Sequence, residues 1–157
     1  MFPPAEHAPI ASRAAIEALV PHAGAMCLWD EVLDWDDLSI RLRARNHRDP
    51  AHPLRSEGRL RAIHLCEYGA QAMAVHGGLI AQRDGRIAAP GMLVALRGIE
   101  LRVARIDALP GPIECEAHLL VASEASQQYA FRITHADALL AEGRAAVMLQ
   151  QETLHGG

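Results

Sequence analysis

The sequence predicts an α+β domain in which a curled antiparallel sheet wraps one long central helix. Residues 59–82 are the most helix-like stretch, rich in alanine and glycine and apolar nearly all round, as in a helix surrounded by other structure. Everything after Pro90 alternates apolar and polar residues between short turns, which is the period of strands. Two shorter strand-like runs precede the helix. The predicted order is two strands, one helix and four strands, in a chain of 157 residues that suits one domain.

Each element has its own signal. Residues 1–9 carry three prolines and read as a loose arm. Ile10, Ala14, Ile16, Leu19 and Val20 follow helical spacing, and Pro21 ends that helix. Cys27 to Leu33 is a short apolar run fit for a strand, and Asp34 to Asp37 supplies a turn. Leu38 to Arg43 then alternates as a half-exposed strand does. The segment 46–58 holds two prolines, two histidines and several charges, a loop long enough to suggest function. In the helix, Gly69, Gly77 and Gly78 each cost up to about 1 kcal/mol relative to alanine, so close approach by other structure is expected there. Met92 to Ile106 reads as one long strand with a bulge at Gly98, and Leu109 to Pro112 as a turn. Residues 113–121, 128–134 and 139–149 complete the sheet.

Composition excludes several functions. The net charge of −4 is spread in alternating signs, which argues against a nucleic-acid or anionic-membrane surface. Aromatic residues make up only 4%, so the core is expected to be built from Ala, Leu, Val and Ile. Three cysteines without CxxC spacing fit neither a disulfide framework nor a zinc site. No basic segment followed by an apolar run opens the chain, and no window reaches the roughly 18 to 20 apolar residues that span a bilayer. A cytoplasmic location without cofactor is expected.

Five strings, in the right order, resemble one family. They are Leu19-Val20-Pro21-His22 followed by Cys27-Leu28-Trp29-Asp30-Glu31-Val32-Leu33, then Glu67-Tyr68-Gly69-Ala70-Gln71-Ala72 in the helix. The turn Ile106-Asp107-Ala108-Leu109-Pro110-Gly111-Pro112-Ile113 and the closing Glu142-Gly143-Arg144-Ala145-Ala146-Val147 follow. Together they resemble the hot-dog fold 3-hydroxyacyl-carrier-protein dehydratases, above all those of aryl-polyene pigment clusters. The resemblance implies a carrier-bound thioester substrate, and a site at a subunit interface that takes its base and acid from different chains. It departs in the loop: the family's Gly-His-Phe-Pro becomes Ala51-His52-Pro53, and the Pro-Gly that opens the helix becomes Ser56-Glu57-Gly58. His52 also falls one residue from the family's histidine when counted back from Glu67.

Dehydration needs a base for the α-proton, a proton donor for the leaving hydroxyl and a dipole on the thioester carbonyl. On a helical wheel His64, Glu67 and Gln71 fall within about 60° of one another. A buried Glu67 with no cation beside it is expected to stay partly protonated and act as the acid, with His64 or the loop His52 as the base. Gln71, His22 and Gly58 are expected to line or bind substrate, and the N-terminus of the helix to polarise the carbonyl. Structural alternatives stand beside these roles. Glu67 fits an ion pair with Arg61, Gln71 fits orienting its own turn, and His64, His52 and His47 fit satisfied loop or backbone contacts. His22 fits a loop anchor, and His76 a core or interface position. A metal is not expected, since the pair His64 and Glu67 lacks further ligands, and Cys66 points away from that edge. The long strand after Pro90 is expected to pair with a second hot-dog chain, as a homo-oligomer or a heterodimer. Arg55, Arg59 and Arg61 are candidates to steer an acidic acyl carrier protein. Thioester hydrolysis and a non-catalytic partner subunit are the alternative functions.

Overall fold

The alanine- and glycine-rich stretch does form the central helix, α2 (Leu65–Arg83), but it starts at Leu65 rather than at residue 59. The computed structural model describes residues 10–20, 27–89 and 91–150, so the expected N-terminal arm, Pro21 and His22 lie outside the described residues. Residues 59–61 are extended instead. Arg61 bridges to Arg105, the Leu60 N–H donates to Asp107 Oδ1 at 3.1 Å, and the Ile106 N–H donates to Leu60 O at 2.9 Å. A short 3-10 turn, Ala62–His64, then leads into α2. Those partners are far away in sequence, and they override a local preference worth tenths of a kcal/mol per residue.

The strands are β1 (Ala11–Ser12), β2 (Glu31–Trp35), β3 (Ser39–Ala44), β4 (Gly91–Leu101), β5 (Ile113–Ala122), β6 (Ser126–His135) and β7 (Ala138–Leu149). They form one antiparallel sheet in the order β1-β2-β3-β5-β6-β7-β4. The first helix, α1, is Arg13–Leu19, because Ile10 to Ser12 hydrogen-bond to β2 instead of coiling. β2 starts at Glu31 rather than Cys27. The backbone before it bonds elsewhere: Cys27 O accepts from Arg13, and the Leu28 N–H donates to Gln71 Oε1 at 2.8 Å. Trp29 joins them through its indole, which donates to Tyr68 O. The turn follows Trp35, where Asp36 Oδ1 accepts the Leu38 and Ser39 N–H groups. The bulge expected in β4 is present: Gly98 has a φ of +60°, and the register with β7 shifts between Arg97 and Glu100.

Helix α2 packs against β3, β5, β6 and α1. Of the chain's two Trp, two Tyr and two Phe, four (Trp29, Tyr68, Tyr129 and Phe131) rank among the largest fully buried side chains. This corrects the expectation of a purely aliphatic core: few aromatics are present, but they sit at its centre, where each large apolar side chain contributes about 1.5–3 kcal/mol by burial. Close approach explains two of the three helix glycines. A Cβ on Gly69 would lie 2.9 Å from the Phe131 ring, and one on Gly78 would lie 3.2 Å from Leu19 of α1. Gly77 faces open space, so the close-approach expectation fails there. His76 is a core residue, with Nδ1 2.7 Å from the Tyr129 hydroxyl and Nε2 2.7 Å from Asp36 O.

The sheet leaves one side uncovered. β4 is an edge strand, and Met92, Leu93, Val94, Leu96 and Leu101 along it are all exposed. Among the described residues, no helix is long and apolar enough to cross a membrane, and no group of three His, Cys, Asp or Glu is placed to hold a metal. All three cysteines are free and buried.

Candidate active site at the start of the central helix

The loop that precedes α2 is built from its own polar side chains. Asp49 Oδ1 accepts the Ala51 N–H at 2.9 Å, and turns at Asp49 and His52 follow in succession. Arg55 donates to Gly58 O and to His47 O, which closes the loop on itself. Arg55 is therefore committed to the loop rather than free for docking, while Arg59 and Arg61 stay exposed. His47 is fully buried and sits 2.9 Å from Leu109 O, pinning the loop to the turn before β5. Burial holds its imidazole below the ordinary range. His47 Nδ1 and Arg55 Nε are buried without a hydrogen-bond partner among the described residues.

His52 is the best-defined histidine of this region. It is 5% exposed, and its Nε2 lies 2.8 Å from the Tyr68 hydroxyl. Its Nδ1 accepts the Leu54 N–H at 3.1 Å. Tyr68 donates onward to Asn46 Oδ1 at 2.7 Å, and Asn46 Nδ2 donates to Leu28 O at 2.8 Å. The imidazole also stacks on the Tyr68 ring with centroids 6.1 Å apart. Burial, reinforced by the charge of Arg55, keeps His52 below the usual histidine range, and burial raises the Tyr68 phenol well above its own.

Glu67 follows a different course from the expected one. It occupies the first turn of α2, immediately before Tyr68, yet its side chain is exposed rather than buried. Among the described residues it makes no hydrogen bond or ion pair, so the expected structural pair with Arg61 is absent. Ile63, one turn earlier, is 53% exposed on the same side, and Ala70 and Ala74 continue this face half-buried. His64 is half-buried and caps the helix in backbone terms only. The expected edge of three residues is thus divided. Glu67 and His64 remain accessible one turn apart, while Gln71 is buried with its oxygen on the Leu28 N–H.

Two further expectations are corrected by local geometry. Glu57 and Gly58, with φ of 54° and 73°, are the tip of a two-residue hairpin closed by paired Ser56 and Arg59 backbone bonds. Gly58 therefore makes a tight turn and does not open the helix. The helix start is also not a bare cluster of donors. The N–H groups of Ala62, His64 and Leu65 go to Ala104 O, Arg61 O and Ala62 O, because the 3-10 turn feeds directly into α2.

A family model described as the ApeP dehydratase matches residues 14–155, nearly the whole chain. The chain belongs to the ApeP-like dehydratase family. No curated protein matches its sequence. Among solved structures, the dehydratase heterocomplex ApeI:P from Xenorhabdus doucetiae is similar at 21% identity, with a TM-score of 0.80 and 94% of each chain covered. AziG from S. sahachiroi matches at 16% identity and a TM-score of 0.57, covering 84% of this chain and 95% of that one. A mutant thioesterase from Staphylococcus aureus matches at 10% identity and a TM-score of 0.58, covering 77% and 93%. At these identities the likeness shows the fold, and the fold is the hot-dog fold.

Within this ApeP-like chain, sequence reasoning missed Tyr68 and Asn46. Tyr68 was legible only as one member of the helix string, and Asn46 only as the first residue of a loop. Their connection to His52 spans up to 22 positions and arises from folding alone. An aromatic hydroxyl next to Glu67 in a largely apolar helix was the available signal, since buried Tyr hydroxyls usually find a partner.

Proposed function

We propose that this chain dehydrates 3-hydroxyacyl groups carried on acyl carrier protein, in the cytoplasm, as one half of a site completed by a second hot-dog chain. The single observation that carries this reading is an exposed, unpartnered Glu67 on a helix that is otherwise largely buried, in a sheet whose apolar β4 edge is uncovered. A free strand edge with five exposed large apolar residues is a template for pairing. A heterocomplex is the state named for the similar ApeI:P structure, and it supports a hot-dog partner here.

In the proposed reaction an imidazole takes the α-proton of the 3-hydroxyacyl thioester. The electron pair forms the C2–C3 double bond as the C3–O bond breaks. Glu67 gives its proton to the departing hydroxyl, so that water and an enoyl thioester leave. Glu67 is exposed in the single chain, so in this reading it is the partner chain that shuts water away from its carboxyl. His64, one turn before Glu67, is the half-buried imidazole on the same stretch of chain as that carboxyl.

The test incubates the protein, alone and with a hot-dog partner, with 3-hydroxyacyl carrier protein and follows water loss by mass. Dehydration that is lost in Glu67→Gln, with an unchanged melting temperature, supports the assignment. Release of free acid would instead make the chain a thioesterase. A second reading, a non-catalytic subunit that shapes a partner's acyl tunnel, is favoured by the altered loop around Ala51-His52-Pro53. A Glu67→Gln complex as active as the native one would establish it.

A further inference from the structure

The loop histidine has no free ring nitrogen, and the direction of every hydrogen in its network follows from chemistry. A backbone N–H can only donate, so the Leu54 N–H makes His52 Nδ1 an acceptor. A neutral imidazole then carries its hydrogen on Nε2 and donates it to the Tyr68 oxygen, 2.8 Å away. The opposite end is fixed in the same way. Leu28 O can only accept, so Asn46 presents its amide nitrogen there and turns its oxygen to Tyr68, whose hydroxyl donates to it. Leu54, His52, Tyr68, Asn46 and Leu28 thus form one chain with each hydrogen assigned, and none points outward.

We infer that His52 is a positioning residue, not the proton acceptor: its locked imidazole clamps the loop onto Tyr68 and thereby sets the turn that carries Glu67. This rests on the dehydratase reading for the meaning of "acceptor". The lock itself is a property of the fold. A base must offer a lone pair to the substrate, and here the only lone pair of the neutral ring is spent on the Leu54 N–H. Taking a proton would require the ring to leave Tyr68 or the loop to open at Leu54. Two copies of this chain would carry the same lock, so the acceptor falls to another imidazole, with His64 the candidate of this chain among the described residues. Two aromatic contacts hold the clamp in place. Trp29 packs edge-on against Tyr68 at 5.2 Å and donates to its carbonyl, and His52 stacks on its ring.

The first measurement needs no variant and no activity. Long-range proton–nitrogen correlation NMR on the labelled protein reports the tautomer of each histidine, with the His52 signals assigned by their loss in His52→Gln. A pyridine-type Nδ1, a pyrrole-type Nε2 and no titration across the neutral range are expected. A tautomer mixture, the reverse tautomer, or titration near pH 6 to 7 would overturn the lock. The second measurement uses the partner-completed enzyme. Loss of one positioning hydrogen bond lowers kcat by about 2- to 10-fold, whereas loss of a general base costs about 10²- to 10⁴-fold. His52→Gln retains a donor that reaches Tyr68, so its kcat falls within the smaller range and the acid limb of its pH profile is kept. His52→Ala, without a donor, falls further. A His52→Gln enzyme as impaired as His52→Ala, with the acid limb gone, would make His52 the base. If no dehydration occurs in any combination, the functional reading fails, and the NMR result still decides the lock.

Discussion

Acidification should destabilise this protein through its buried histidines before its carboxylates take effect. His47, His52 and His76 are at most 5% exposed, and burial lowers the proton affinity of all three. His76 illustrates the constraint. Its Nε2–H goes to Asp36 O, so Nδ1 must stay unprotonated to accept from the Tyr129 hydroxyl. The unfolded chain binds protons near pH 6.5 that the folded chain refuses, so stability rises with pH and falls as pH drops below that value. The contribution is fully present above pH 6.5. Each imidazole that the fold keeps neutral removes at most about 1.4 kcal/mol per pH unit below about 6.5, so three remove at most about 4 kcal/mol per unit. Against a typical total of 5–15 kcal/mol, a clear loss of stability is expected between pH 6.5 and pH 5. Urea denaturation midpoints followed by far-ultraviolet circular dichroism from pH 8 to 5 measure this directly. A flat profile across pH 6.5 to 5, or a rise in stability on acidification, would refute the argument. Asp107, held below the carboxylate range chiefly by its hydrogen bond from Arg105, adds its own loss only at lower pH.

Other outcomes follow from the same contacts. Tyr129→Phe leaves His76 Nδ1 without its donor in the core, and chemical denaturation should show a loss of about 1–3 kcal/mol. Gly77→Ala should raise stability by up to about 1 kcal/mol, since its Cβ meets open space. Gly69→Leu must displace the buried Phe131 ring and should cost about 1–3 kcal/mol or more, so equal melting temperatures for these two variants would contradict the packing described. Charging the uncovered strand with Leu93→Lys and Leu96→Lys should reduce association in sedimentation velocity without lowering helix content, because both side chains are already exposed in the single chain.

The order of elements was legible because local patterns carry it. The period-2 runs after Pro90, the bulge at Gly98 and the turn with Gly111 are encoded within a few residues of themselves and appear in the structure, except that the run expected from Met92 to Ile106 leaves the strand after Leu101. The helix was legible in its interior and not at its beginning. Residues 59–61 look helical in isolation, but they are held extended by Asp107 and the backbone of Ile106. The extended residues before β2 were misplaced for the same reason, since the backbone of Cys27 and Leu28 bonds to the side chains of Arg13 and Gln71 rather than to a neighbouring strand.

By itself, the sequence determined the fold class, the family, the buried helix and the presence of a carboxyl, several imidazoles and an amide near one end of it. Those features depend on residue type and on spacing along one element. Only the tertiary structure decided which of them remain accessible. Glu67 and Gln71 are four residues apart on the same helix, yet one faces solvent and the other accepts a hydrogen bond from Leu28. The contacts of His52, Tyr68 and Asn46 were decided there too, because a hydrogen-bond chain through three segments exists only after the loop, the helix and the stretch before β2 are brought within 3 Å of each other.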